Sequence, residues 1–82
     1  MTKIEKLKEF LDKECKGMQT FFSRNTVGDE MNTIYEEDGI TVDICYYWDY
    51  IEIFGLNEEE EEEIRKYGYN RHSREELWHR KQ

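Results

Sequence analysis

The dipeptide Asp38-Gly39 narrows the possible folds of this chain more than any other feature. Asp-Gly is a favoured pair for a two-residue β-hairpin turn, because both positions of that turn need a positive φ. After the pair, apolar and polar side chains alternate along residues 40–47, with the period of a half-buried strand. We therefore predict a hairpin with strands over 31–36 and 40–47, and we expect Tyr46 to face the core.

A third strand is predicted after a second turn near Trp48-Asp49. Residues 50–54 alternate again, with isoleucines on the apolar face. Strands joined by short turns pair in antiparallel fashion, so we expect a three-stranded antiparallel sheet. Residues 18–28 show no clear period, and Phe21 and Phe22 are expected to contact the core without being assigned to a strand or a loop.

Capping boxes mark the starts of three helices, because a side chain at the N-cap and a carboxylate three residues later satisfy each other's backbone N–H groups. The pairs are Thr2 with Glu5, Asn57 with Glu60, and Ser73 with Glu76. The first two predict helices over 3–16 and 58–67, each followed by a glycine that favours a left-handed C-cap. The third predicts a short final helix that contains Trp78.

The predicted fold is α+β, with an N-terminal helix packed on a three-stranded antiparallel sheet and followed by two C-terminal helices. A chain of 82 residues has room for one small domain, so residues 1–82 are expected to form a single unit. The aromatic share of 15% is higher than a disordered chain carries, which favours a packed core.

The cysteines and the apolar runs help to predict the cellular compartment of the protein. Cys15 and Cys45 are too few for a disulfide framework, and no apolar leader segment follows Met1, so we expect a cytoplasmic protein. The longest apolar run, residues 44–48, is far shorter than the roughly 20 residues that span a bilayer. No membrane partner is expected.

The acidic residues are concentrated in the middle of the chain. Residues 29–63 contain 14 Asp and Glu and no Lys or Arg, and the net charge of the whole chain is −8. Such a region repels nucleic acid and anionic lipid and attracts positively charged surfaces. We therefore expect no direct nucleic-acid partner, and we expect a basic protein partner, most naturally one that itself binds nucleic acid.

The candidate partner-binding residues are the acids of this region and the aromatic residues interleaved with them. Clustered carboxylates steer a basic partner, and Tyr and Trp are frequent interface anchors. The acids are Glu36, Glu37, Asp38, Asp43, Asp49, Glu52, Glu59, Glu60 and Glu63, and the aromatic residues are Tyr47, Trp48 and Tyr50. The competing interpretation is that the glutamate run is a solvated helix face and that the aromatic residues belong to the core.

No pattern of catalytic or metal-binding residues stands out. Cys15, Cys45, His72 and His79 have no spacing typical of a zinc site. The chain also lacks a nucleophile motif, a Gly-rich phosphate loop and a calcium loop. We therefore expect no enzyme activity, no cofactor and no bound metal.

The order of elements and the charge distribution resemble small acidic proteins encoded by bacteriophages and prophages, including some anti-CRISPR inhibitors. Residues 50–60, with the sequence YIEIFGLNEEE, also resemble a strand-to-helix junction in uncharacterised phage proteins. The resemblance implies a non-enzymatic inhibitor that occupies a nucleic-acid-binding groove of a host defence protein, with carboxylates standing where phosphates would. It matches no family motif, and it therefore assigns no functional residue.

A second hypothesis is a structural or assembly domain that forms a homodimer or larger assembly. In this alternative the aromatic sheet surface mediates self-association, and the acidic residues keep the protein soluble.

Overall fold

The computed structural model describes residues 1–23 and 32–69. Within these ranges the chain is α+β, as predicted, with two helices and four strands. In chain order the elements are α1 (Lys3–Glu14), β1 (Gln19–Ser23), β2 (Asn32–Glu37), β3 (Ile40–Cys45), β4 (Tyr50–Phe54) and α2 (Glu58–Lys66). The predicted final helix, with Ser73, Glu76 and Trp78, lies outside the described residues.

The four strands form one mixed sheet in the order β1-β4-β3-β2. β2, β3 and β4 are antiparallel neighbours, as predicted, whereas β1 runs parallel to β4. The prediction of a purely antiparallel three-stranded sheet is therefore wrong. β1 was not predicted because Thr20, Phe21 and Phe22 are all buried, so its sequence has no apolar and polar alternation.

Both predicted capping boxes within the described residues are confirmed. Thr2 Oγ1 accepts a hydrogen bond from the backbone N–H of Glu5, and the Glu5 carboxylate accepts one from the backbone N–H of Thr2. The hydrogen bond from the Thr2 backbone lowers the pKa of Glu5. Asn57 and Glu60 form the same reciprocal pair at the start of α2.

The main core lies between one face of the sheet and the two helices. The buried residues of α1 recur every three or four positions, and α2 adds one fully buried isoleucine. The helical residues are Ile4, Leu7, Leu11 and Ile64, and the strand residues are Phe22, Ile40, Val42, Ile44, Ile51 and Ile53. Each such side chain contributes about 1.5–3 kcal/mol when it leaves water, so this layer fixes the helices on the sheet.

The opposite face of the sheet is buried as well along β3 and β4. Asp43 is 0% exposed, Glu52 is 6% exposed and Phe54 is 2% exposed, although alternation predicts a solvated face. Tyr46 deviates in the other direction: it is 66% exposed, so its predicted place in the core is wrong. The physical reason is that β3 ends at Cys45 and the alternation ends with it.

No helix in residues 1–23 and 32–69 has both the length and the apolar character needed to cross a membrane.

Candidate protein-binding surfaces

The turn between β2 and β3 touches the junction between β4 and α2. A Cβ atom placed on Gly55 would lie 2.1 Å from the carbonyl oxygen of Gly39, so the two backbones are in close contact. Glu58 follows Gly55 by three positions, which places its Cα within about 11 Å of that contact. Two acidic segments that are distant in sequence therefore meet at one end of the sheet. We call this surface the acidic end, and its residues are Glu36, Glu37, Asp38, Glu58, Glu59 and Glu60.

Lysines of α1 neutralise part of the acidic end. Lys6 Nζ lies 3.3 Å from the Glu37 carboxylate, and Lys3 Nζ lies 3.0 Å from that of Glu60. Partial burial raises the pKa of Glu60, but the hydrogen bond from the Asn57 backbone and the nearby Lys3 ammonium outweigh it, and the net shift is downward. Both carboxylates therefore already have a basic partner within the chain.

Three other carboxylates of the acidic end make no ion pair with a described residue. Glu36, Asp38 and Glu59 are exposed, and no Lys or Arg of residues 1–23 and 32–69 lies within ion-pair distance of them. Asp38 has a φ of 54° and occupies the left-handed position of the turn, which Asp tolerates better than most residues. These three side chains are the ones most available to a basic partner.

The rest of the glutamate run in α2 mainly supports the helix itself. The Arg65 guanidinium donates to Glu61 and Glu62, and it lies 5.7 Å from the centre of the Phe22 ring. Glu63 is exposed and accepts a 3.4 Å hydrogen bond from the Tyr67 hydroxyl. Glu62 and Glu63 fit the interpretation of a solvated helix face with internal pairing, whereas Glu61 is buried, with 5% of its surface exposed.

The predicted aromatic anchors lie at the other end of β3. The turn from Tyr46 to Asp49 joins β3 to β4, and the six residues of β3 separate it from Asp38-Gly39 by about 20 Å. Tyr47 is 87% exposed, and its ring centre is 6.2 Å from that of the half-buried Trp48. The acidic end and this turn are therefore two separate surfaces, and Asp49 is a predicted acid that lies in the turn with the aromatic residues.

Three of the predicted partner-binding residues are buried in the structure. Asp43 and Glu52 are cross-strand neighbours in the β3–β4 pairing, and Tyr50 packs edge to face on Phe21 with ring centres 5.1 Å apart. Asp43 Oδ1 accepts a 2.7 Å hydrogen bond from Thr33 Oγ1. None of the three side chains is accessible for a first contact with another protein.

The potential metal ligands of the described residues do not cluster, and the two cysteines are not paired with each other. Residues 1–23 and 32–69 contain no group of three or more His, Cys, Asp or Glu side chains placed to hold a metal ion. Cys15 and Cys45 are free thiols, and burial raises the pKa of Cys15 to about 11, which keeps it protonated at neutral pH. His72 and His79 lie outside the described residues.

A groove between α1 and β2 was not anticipated from the sequence. It has a volume of about 320 Å³ and is lined by Phe10, Glu14, Ile34, Ile44 and Tyr46. We call it the Phe10–Tyr46 groove. The sequence signal that could have indicated it is Phe10, an aromatic residue beside the apolar stripe of α1. In the structure the ring centre of Phe10 is 4.9 Å from that of Tyr35.

Comparison of the chain with models of protein families, with curated proteins and with solved structures found no match in any of the three.

Proposed function

We propose that the protein is a non-enzymatic binding protein whose acidic end docks on a basic surface of another protein. The observation that carries the proposal is the contact of Gly55 with Gly39, which joins two acidic segments into one surface. Three carboxylates of that surface, those of Glu36, Asp38 and Glu59, make no ion pair with a described residue. Unpaired surface charge of one sign speeds encounter with a partner of the opposite sign and sets specificity.

The partner surface that fits this geometry best is one that binds nucleic acid. Such surfaces present clustered Lys and Arg to a line of phosphates, and a row of carboxylates carries the same negative charge as those phosphates. The proposed activity is therefore inhibition by occupation, in which this protein excludes nucleic acid from its site. The likeness to phage-encoded inhibitors of CRISPR defence suggests a host defence protein as the target, within the cytoplasm.

Charge-neutralising variants test the proposal with a matched control. Glu36→Gln with Asp38→Asn removes two exposed charges from the acidic end, while Glu9→Gln with Asp49→Asn removes two exposed charges outside it. Asp49 was predicted as a binding residue, but it lies in the turn at the other end of β3. Asp38 and Asp49 are matched in backbone as well, with φ values of 54° and 57°, a conformation that Asn tolerates. Both variants carry the same net charge and should fold equally well.

The assay is a pull-down from bacterial lysate at low and at moderate salt, with retained proteins identified by mass spectrometry. We expect the wild type and the Glu9 and Asp49 variant to retain one basic nucleic-acid-binding protein, which is lost as salt screens the charges. We expect the Glu36 and Asp38 variant to lose it even at low salt. Equal retention by both variants would show that the acidic end is not the binding surface.

The exposure of the β3–β4 turn favours a second candidate function, self-association. Tyr46 is 66% exposed and Tyr47 is 87% exposed, and large exposed aromatic side chains often mark contacts between protein copies. Sedimentation across a concentration series separates the two candidates. A mass that stays that of a monomer over the whole series would remove this one.

A further inference from the structure

The outer edge of β2 is open to another strand within the described part of the chain. β2 is the last strand of the sheet and pairs only with β3 there. An edge strand carries a row of backbone N–H and C=O groups that point away from the sheet and can bind an extended peptide. The register shifts between Thr33 and Tyr35, so Ile34 lies at a bulge, and this residue also lines the Phe10–Tyr46 groove.

The side chains around this edge favour a cationic ligand. The Phe10–Tyr46 groove is lined by two isoleucines and two aromatic residues, and Glu14 is its one charged lining residue. A long aliphatic stem that ends in a positive charge fits such a lining, because the stem covers apolar surface while the head meets a carboxylate and a ring. Beyond the groove, the exposed Glu36 near the end of β2 extends the negative charge along the strand, whereas Lys6 offsets the charge of Glu37.

A neighbouring groove lacks this preference. It has a volume of about 310 Å³ and shares Phe10 with the first groove. Its charges cancel, since two lysines, Lys6 and Lys13, line it together with two glutamates, Glu9 and Glu37. Of the two grooves, the Phe10–Tyr46 groove is therefore the one whose net negative charge can attract a cation.

We propose that the edge of β2 and the Phe10–Tyr46 groove together bind an extended basic segment of the partner protein. The segment adds a fifth strand beside β2 and places one Arg or Lys side chain in the groove, with its cationic head at Glu14. Alternate residues of an added strand point to the same face of the sheet, so every second residue of the segment faces α1. This inference rests on the proposed function, because it specifies how a basic partner is held.

A second copy of this chain is a poorer occupant. Its β2 strand carries Glu36 and Glu37 and no basic residue, so it brings more negative charge to an acidic edge. Like charges placed across neighbouring strands destabilise their pairing.

Two synthetic peptides of equal charge separate strand addition from simple charge attraction. One alternates Arg and Val over eight residues, and the other alternates Arg and Pro, which lacks half of the backbone N–H groups and cannot extend a sheet. Both carry a fluorescent label, and their dissociation constants are measured by anisotropy at low and moderate salt. Amide proton shifts of β2 then report where each peptide binds.

Protein variants with a matched control test the groove. Tyr46→Ala and Glu14→Gln alter exposed lining residues. Tyr47→Ala is the control, since Tyr47 lies in the same turn and was predicted as an anchor but does not line the groove. We expect the Arg-Val peptide to bind roughly tenfold more tightly than the Arg-Pro peptide and to shift the β2 amides. Tyr46→Ala and Glu14→Gln should each weaken it roughly fivefold, while Tyr47→Ala leaves it within about twofold.

The failures of the two proposals are distinguishable. If both peptides bind equally, with salt dependence and without any effect of Tyr46→Ala, the docking site is wrong while the attraction of the acidic surface for basic partners stands. If neither peptide binds at low salt, both proposals fail. If the protein forms a dimer that Tyr46→Ala dissociates, the occupant of the edge is a second copy of the chain, and the docking proposal is overturned.

Discussion

The hydroxyl of Tyr69 donates a 2.6 Å hydrogen bond to Oδ1 of Asp12. The bond ties the segment after α2 to the last turn of α1, and Tyr69 itself is 5% exposed. Burial raises the pKa of the Tyr69 hydroxyl, and the Asp12 carboxylate raises it further. Tyr69 therefore acts as a neutral donor at neutral pH, and with its ring in the main core it ties the chain after α2 to α1.

Removing this hydroxyl should destabilise the domain. Tyr69→Phe keeps the ring in the core but deletes the donor, and a lost buried hydrogen bond costs about 1 kcal/mol. In a domain of this size that corresponds to a fall in Tm of roughly 5 °C. Tyr67→Phe is the control, since Tyr67 is exposed and its bond to Glu63 is 3.4 Å long. Equal melting temperatures for the two variants would show that the Asp12 bond contributes nothing to stability.

Stability should fall in acid. The Lys8 ammonium and then the Tyr69 hydroxyl bond the Asp12 carboxylate and lower its pKa below the ordinary value of 3.8. Because folding lowers this pKa, the contribution is complete above about pH 4 and is lost as the pH falls through the folded value. Urea unfolding at about pH 7 and about pH 3 should show a smaller loss for Asp12→Asn than for the wild type. An identical loss in both proteins would contradict the assignment.

Adding a methyl group at Gly55, where the two acidic segments meet, should lower the free energy of unfolding. Gly55 has a φ of +91°, and a Cβ there would meet the backbone carbonyl of Gly39 at 2.1 Å. Gly17 is the matched control, since its φ is +87° and nothing lies within 4 Å of the same position. Gly17→Ala should therefore cost about 1 kcal/mol for the left-handed backbone alone. Gly55→Ala should cost at least about 2 kcal/mol more in urea unfolding, because backbone cannot move aside as a side chain can.

The local elements were predictable because their signals lie within a few residues. The boxes of Thr2 with Glu5 and of Asn57 with Glu60 place the starts of both helices correctly, and Asp38-Gly39 locates the hairpin. β1 escaped prediction because its pairing with β4 joins residues about thirty positions apart, and because its side chains are buried on both faces. Neither property leaves a local pattern.

The binding surfaces were predictable only in part. Charge counting identified the glutamates and aspartates, and the exposure of Glu36, Asp38 and Glu59 agrees with that count. Alternation then misplaced Asp43 and Glu52, because it assumes one solvated sheet face, and here both faces are buried. The groove beside Glu14 depends on how α1 lies against β2, which no local sequence pattern specifies.

The parallel pairing of β1 with β4 also orders the events of folding. The hairpin of β2 and β3 and its extension to β4 need only short loops, whereas β1 must wait for a partner that follows it by a long stretch of chain. Phe21 and Phe22 of β1 therefore gain their strand partners only once β4 is in place, so closure of the mixed sheet is expected to be the last step of folding.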